Sequence, residues 1–588
     1  MIDKNNQRLR RARPVLAMAL VAFLAGAIVG ANRGGSPSAD VAQRFTAAWS
    51  RGDYASMYGE ITPAAQRTIS AAEFGADYER AMRTAAATGL RASGQPRSLS
   101  GGSAAVPVRV QTRLWGTLAE TLTLPTVSIE GEQRIAWAPY LAFPGLRPGE
   151  GLTSRTTLPR RATLLARDGT VLAESPAEGH GGRSAPLGEL ASAVVGTVGA
   201  IPAARLQTLE AEGVPADAEV GTSGLEESLD SRLRGTPGGQ LLAGGRVLAS
   251  STPRPAPALR TSISPSVQTA AVTALGGQYG GVVAMIPSTG EILAVAGIGL
   301  DGLQPPGSTF KIITVAGALS AHLTSPKTVY PYATHATLDG VQLNNANGEE
   351  CGGSLELAFA VSCNSVFTPL GVKLGSGRLV AMAEKFGFNQ PTGLQGAPES
   401  TLPAASQIQG ELATGSTAIG QGQVLATPLE MLGVAATIAN GGRRPTPSFL
   451  AGGSKGGPQV LSGDLSRTIR HLMTEVVLEG TGRSAAIPGV TVAGKTGTAE
   501  LKTACKGKEQ TNSQEDEQEA EKQPSASETC KAGETESSNT DAWFTSFAPA
   551  TSPRIAVCVM LVKDGAGGET AAPVARTVLE AGLQALPR

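Results

Sequence analysis

The chain has 588 residues, too many for one hydrophobic core, so several domains are expected. Lysine plus arginine equals aspartate plus glutamate at 49 each, which leaves no net positive field to recruit nucleic acid or another polyanion. Aromatic residues make up only 4%, while 74 glycines and 38 prolines point to many turns around cores of Ala, Val, Leu and Ile. Five cysteines without paired Cys-x-x-Cys spacing and four scattered histidines give no zinc pattern, so a structural or catalytic zinc site is not expected.

Residues 1–14 carry Lys4, Arg8, Arg10, Arg11 and Arg13, and an uncharged run follows from Val15 to Ala31. At helical rise that run reaches the lower limit for spanning a bilayer. The expectation is a cytoplasmic basic tail, a single-pass anchor at 15–31, and everything beyond it outside the membrane. A cleaved secretory signal is the alternative, since Ala25, Gly26 and Ala27 suit a signal peptidase. No cysteine lies near the end of the run, so a lipid anchor is not expected. Either way the remainder faces an oxidising, ATP-free compartment.

After the Gly/Ser/Pro patch at 34–38, Val41, Phe45, Ala48 and Trp49 recur at helical spacing, Gly52-Asp53 turns, and Tyr54 to Tyr58 starts a second helix. Two helices then lead into strands at Ala105 to Val110 and Leu118 to Leu124, giving a small α+β domain over 39–149. From 150 to 259 the chain is Gly/Pro-rich, with short strands such as Ala162 to Leu165 and Val194 to Val198. Such a segment reads as a support rather than an active site.

Three elements of chemistry follow. Pro305-Pro306-Gly307-Ser308-Thr309-Phe310-Lys311 opens a helix that puts Ser308 at its N-terminus, with Lys311 three residues on and on the same face. A desolvated, neutral Lys311 could take the proton of the Ser308 hydroxyl. Ser362-Cys363-Asn364 lies in an apolar stretch about 50 residues later. Val490 to Glu500 alternates as a strand through Lys495-Thr496-Gly497-Thr498, whose lysine and threonines can hold a carboxylate. An extended substrate could add to that strand, with Gly497 allowing close backbone approach.

In this order the three elements resemble the signature of penicillin-binding proteins and serine β-lactamases. The opening pattern of 39–149 resembles an NTF2-like domain, and Gly221-Thr222-Ser223-Gly224-Leu225-Glu226 with Leu233 to Gly238 resembles the close of a penicillin-binding protein dimerisation, or pedestal, domain. The whole is similar to a class B, monofunctional penicillin-binding protein. The fold implied is multidomain α+β: a transpeptidase domain over 260–588, of antiparallel sheet plus helical cluster, behind an NTF2-like domain, a pedestal over 150–259 and a membrane helix.

The resemblance implies that Ser308 attacks a stem peptide ending in D-Ala-D-Ala, with Lys311 as base and Ser362 shuttling the proton. Asn364, Lys495, Thr496, Gly497 and Thr498 bind substrate, and the backbone N–H groups of Ser308 and Thr498 form an oxyanion hole. Partners implied are peptidoglycan stem peptides, β-lactams as covalent inhibitors, the bacterial cytoplasmic membrane and a cell-wall synthesis complex such as one with a glycosyltransferase. No cofactor is implied. A D,D-carboxypeptidase, a β-lactamase with Glu411 as the nearest deacylating base, and a penicillin-sensing protein share the motifs.

Two decoys and one insertion complete the reading. Gly489 to Thr496 satisfies the phosphate-loop pattern, yet reads as a strand. Gly452-Gly453-Ser454-Lys455-Gly456 mimics a nucleophile elbow but reads as a loop. The polar tract 501–540, rich in Glu, Gln, Ser and Lys, departs from the family pattern and is expected to be a solvated insertion. Cys505 and Cys530 bracket much of it, and the expectation is a disulfide closing it. A second bridge is expected between Cys351 and Cys363, with Cys558 buried in the strand Ile555 to Leu561.

Overall fold

The computed structural model describes residues 36–176, 182–394, 396–453, 456–500 and 540–587. The expected tail and anchor, Cys505, Cys530, and Ser454 and Lys455 of the second decoy lie outside the described residues. Among those described, no helix is long and apolar enough to cross a membrane. The chain divides into two units, one from 36–160, 200–218 and 234–256 and the other from 161–199, 219–233 and 257–587.

In the first unit, helices α1 (Pro37–Ser50), α2 (Tyr54–Gly59), α3 (Pro63–Gln66) and α4 (Ala71–Thr84) precede strands β1 (Ala87–Ala92), β2 (Arg97–Leu99), β3 (Ser103–Thr112), β4 (Thr117–Ile129) and β5 (Glu132–Ile135). There are four helices before the strands, where the sequence reading expects two. The signal for α4 is a capping box: Ser70 Oγ accepts from Glu73 N at 3.2 Å while Glu73 Oε2 accepts from Ser70 N at 3.0 Å. The strands form one antiparallel sheet in the order β1-β3-β4-β5, with β2 also on β3. A separate antiparallel sheet pairs Gly238–Ala243 with Leu152–Thr157 and Arg246–Ser251.

Tyr78 of α4 is fully buried, its ring 4.7 Å from Trp49 and 4.8 Å from Phe74. Its hydroxyl donates to Leu141 O at 3.2 Å and accepts from Trp137 Nε1 at 3.1 Å. Helix, sheet and the turn after β5 therefore meet at one phenol, whose ionisation burial pushes far up.

In the second unit the segment predicted as a strand at Val194 to Val198 is instead the end of a helix, Glu189–Val195, followed by a strand at Val198–Ala200. Tertiary packing of Ala191, Val194 and Val195 overrides the strand preference of two adjacent valines. Glu226, from the pedestal-like Gly221 to Glu226 stretch, is fully buried between Arg161 and Arg183, each at 2.6 Å. Arg161 also reaches Asp230 at 2.7 Å, so each buried charge has an opposite partner.

The rest of that unit comprises α5 (Pro265–Leu275), β6 (Gly280–Met285), β7 (Ile292–Gly297), α6 (Lys311–Ser320), α7 (Leu355–Ala360), α8 (Asn364–Leu374), α9 (Pro428–Ala439), α10 (Gly463–Leu478), β8 (Ala493–Glu500), β9 (Thr540–Ala548), β10 (Ile555–Leu561) and α11 (Ala571–Ala585), among other elements. Its sheet runs β7-β6-β10-β9-β8, every pair antiparallel. One face packs on α5 and α11 through Val282, Ala284, Phe544, Val557 and Val559. Thr545 alternates with Phe544 and so points the other way, where its hydroxyl donates to Met431 O of α9 at 2.9 Å. Burial on both faces explains the unbroken apolar runs of β6 and β10, including buried Cys558.

Strand β8 lies at the edge of this sheet. Glu500 pairs with Thr540, so the tract 501–539 leaves and re-enters the fold at neighbouring strand ends.

Removing the Tyr78 hydroxyl leaves Trp137 Nε1 and Leu141 O without a partner. Tyr78→Phe is expected to cost about 1–3 kcal/mol, and Tyr78→Ala about 3–5 kcal/mol. Urea denaturation of the full chain, followed by the fluorescence of Trp49, Trp115 and Trp137, measures both.

Candidate active site

The Ser-x-x-Lys segment is a 3-10 turn, Gly307–Phe310, with α6 starting only at Lys311. This differs from the α-helical opening expected from sequence, and Pro305-Pro306 accounts for it by restricting the backbone that enters the turn. In 3-10 geometry, side chains three apart eclipse, so Ser308 and Lys311 still share a face. Ser308 is half-buried and Lys311 is fully buried.

The turn is clamped by close backbone approach. Gly307 has φ +51°, and a Cβ on it would stand 2.7 Å from Thr498 O. Its N–H donates to Gly420 O at 3.0 Å, and a Cβ on Gly420, at φ +73°, would lie 2.2 Å from Gly307 O. Across the same seam, a Cβ on Gly497 would meet Pro306 O at 2.8 Å. The small residue expected to admit substrate backbone therefore admits the nucleophile turn itself. This packing brings Ser308 beside Thr498, the two residues whose N–H groups are expected to form the oxyanion hole.

Ser362 sits between α7 and α8 with φ +64°, a left-handed conformation that costs a non-glycine residue about 1–3 kcal/mol. That turn aims its carbonyl and hydroxyl at Lys311: Nζ is 2.7 Å from Ser362 O, 3.3 Å from Ser362 Oγ and 2.7 Å from Asn364 Oδ1. Asn364 Nδ2 in turn donates to Asn344 O at 2.7 Å. Asn364, expected to hold substrate, is thus occupied in orienting Lys311. Cys363 between them is joined to Cys351, which ties the turn to the strand Cys351–Ser354.

Lys495 of β8 is also fully buried, with Nζ donating to Ser362 Oγ at 2.8 Å and to Thr496 O at 3.1 Å. One serine hydroxyl thus stands between two amines. Rings close the cage: Phe367 lies 5.5 Å from Lys311 Nζ and Phe359 the same distance from Lys495 Nζ. Thr496 Oγ1 is 2.6 Å from Thr481 Oγ1. Thr481, which sequence reasoning passed over, also holds Ala360 O through its N–H at 3.1 Å. It links the end of α7, just ahead of Ser362, to the Lys-Thr-Gly-Thr strand.

Burial, and then the charge of Lys495, hold Lys311 well below the usual lysine range. Burial alone brings Lys495 down to about 7. Both amines are therefore pushed towards the neutral form, and Lys311 alone also feels the charge of the other. A neutral amine has two N–H bonds, and the two 2.7 Å contacts of Lys311 go to pure acceptors, Ser362 O and Asn364 Oδ1. In that form its lone pair faces the third contact, Ser362 Oγ at 3.3 Å.

Glu411, the nearest deacylating base by sequence, is exposed in the first turn of the helix Gly410–Ala418. The phosphate-loop pattern ends inside β8, where the strand continues from Thr496 to Glu500 in place of the helix N-terminus that a phosphate cradle needs.

A methyl group at 420 must push Gly307 and with it the serine, although residue 420 itself carries no reacting atom. Displacement of this order costs up to about 10²-fold in rate. Gly420→Ala is accordingly expected to slow covalent modification of Ser308 by about 10²-fold, read as the time course of intact-protein mass.

The chain is similar to known proteins over three successive segments. Residues 280–580 match the penicillin binding protein transpeptidase domain, 177–252 the penicillin-binding protein dimerisation domain and 37–150 the NTF2-like N-terminal transpeptidase domain. The peptidoglycan D,D-transpeptidase PbpA of Mycobacterium tuberculosis is 33% identical over 396 residues, covering 56% of this chain and 72% of that protein. Its namesake in Mycolicibacterium smegmatis is 33% identical over 439 residues, covering 62% of this chain and 80% of the other. The penicillin G acyl-enzyme complex of penicillin-binding protein A from M. tuberculosis is 28% identical with a TM-score of 0.54, over 72% of this chain and 100% of that one. The chain belongs to the class B penicillin-binding proteins, with an NTF2-like N-terminal domain ahead of its transpeptidase domain.

Proposed function

We propose that the chain is a serine D,D-transpeptidase that cross-links peptidoglycan through an acyl-enzyme on Ser308. The observation that carries this reading is the fully buried Lys311, its proton affinity lowered and its N–H bonds committed to Ser362 O and Asn364 Oδ1. In the reaction, Ser308 Oγ attacks the carbonyl of the penultimate D-Ala as its proton passes to Lys311. The tetrahedral oxygen rests on the N–H groups of Ser308 and Thr498. Ser362, in contact with both amines, returns the proton to the departing D-Ala nitrogen. An amine from a second stem peptide then attacks the ester and frees Ser308.

Protonated Lys495, with Thr496 and Thr498, is assigned to the substrate carboxylate, and the edge strand β8 with Gly497 to pairing with the extended peptide. Asn364 positions Lys311 and offers its second amide N–H to substrate. A β-lactam opens on the same serine and leaves a slowly hydrolysed ester. We assign residues 39–149 to the NTF2-like domain, 150–259 to the pedestal and 260–588 to the transpeptidase domain. The basic tail 1–14 and apolar run 15–31 support a single-pass anchor in the cytoplasmic membrane, with the catalytic domain outside and a glycosyltransferase as the neighbour in wall synthesis.

Intact-protein mass after incubation with penicillin G tests the reading. A stable adduct on the wild type and none on Ser308→Ala is the expected result; an adduct that vanishes with drug hydrolysis would instead mark a β-lactamase. The pH profile adds a second check. As pH rises, acylation of the free enzyme increases while Lys311 loses its proton, then declines above about 7 as Lys495 loses its own. In Lys495→Arg, whose guanidinium does not titrate in this range, the declining limb should disappear.

A further inference from the structure

Away from the catalytic cleft, Glu356 in the first turn of α7 meets His471 and Glu475, one turn apart on α10. His471 Nε2 is 3.3 Å from Glu356 Oε1, and Nδ1 is 3.7 Å from Glu475 Oε1. The three ligand atoms all lie within 4.8 Å of one another, at a half-exposed surface that solvent ions can reach.

We propose that Glu356, His471 and Glu475 bind a divalent transition-metal cation, with zinc as the reference ion. Imidazole and carboxylate donors suit such ions, and bonds of about 2.0–2.2 Å put neighbouring ligands of a tetrahedral ion roughly 3.3–3.6 Å apart. The 3.3 Å between Nε2 and Glu356 Oε1 falls in that range, and one ring nitrogen lies within 4.8 Å of a ligand oxygen of each carboxylate. Two carboxylates balance the double charge, and water completes the coordination, which makes the site open and exchangeable. Nearby cations do not oppose it. Arg467, one turn before His471, is paired with Asp464, and Arg470 turns its guanidinium towards Ala439 O at 3.5 Å.

The position gives the ion a consequence. Helix α7 runs into the Ser362 turn, and Thr481, just beyond α10, already joins the end of α7 to Thr496. An ion held by Glu356, His471 and Glu475 ties α7 to α10 a second time, on the segment that carries the hydroxyl shared by the two lysines.

Isothermal titration of zinc chloride into the purified, tag-free full-length chain tests this directly, beside His471→Ala and Glu356→Gln. One saturable event in the micromolar range is expected for the wild type, at least ten-fold weaker in both variants. Hydrogen exchange in 355–362 should slow on adding zinc to the wild type alone. Because these side chains are partly exposed, melting without zinc should be unchanged; if His471→Ala melts early, Glu356→Gln decides. No saturable binding, or equal binding in the variants, would overturn the proposal and leave an imidazole lying between two carboxylates.

Discussion

Two lysine amines buried in one cleft, with a single serine hydroxyl between them, set the terms for everything around them. Two positive charges at that separation from water and so near each other cannot both persist, and the structure decides which one goes. Lys311 meets acceptors that satisfy a neutral amine and faces the charge of Lys495. Lys495 keeps its proton until about pH 7, with Thr496 O and Ser362 Oγ to receive its N–H bonds. The proposed function draws a base and a carboxylate-binding cation from the same side-chain type by placement alone.

Such a pair needs rigid surroundings, since small displacements change both its geometry and its dielectric. The sheet supplies them on one side, buried on both faces so that β8 is held at a fixed edge. On the other side, Ser362 is kept in a left-handed turn between two helices, with Cys363 joined to Cys351. The nucleophile turn is pressed onto β8 through Gly307 and Gly497, and Gly420 braces it from behind. Three chain segments far apart in sequence converge because backbone, rather than side chain, makes the closest contacts.

The reacting groups were legible because their chemistry demands local spacing. Serine and lysine three apart share a face in either helix type, so the spacing of Ser308 and Lys311 carries over from the expected α-helix to the observed 3-10 turn. The Lys-Thr-Gly-Thr strand and the buried strand of Cys558 also carried clear patterns. What the sequence hid depends on tertiary contact. Thr481 and Gly420 look like ordinary loop residues until their partners Thr496 and Gly307 arrive from elsewhere. Asn364 showed its residue type but not that Lys311 would occupy it. Glu356 and His471 approach only once α7 and α10 pack. Helix α4 is a different case, since its Ser70–Glu73 capping box is a local signal that the sequence itself carries.

The account turns on Lys311 being a neutral amine in the resting enzyme. Carbon-13 NMR of lysines labelled at Cε in the full-length chain, with Lys311 assigned by its loss in Lys311→Arg, follows that proton directly through a pH titration. The account predicts a Lys311 resonance already in its neutral position at pH values where surface lysines, titrating near about 10.4, are fully charged. A Lys311 resonance that titrates together with the surface lysines would contradict it.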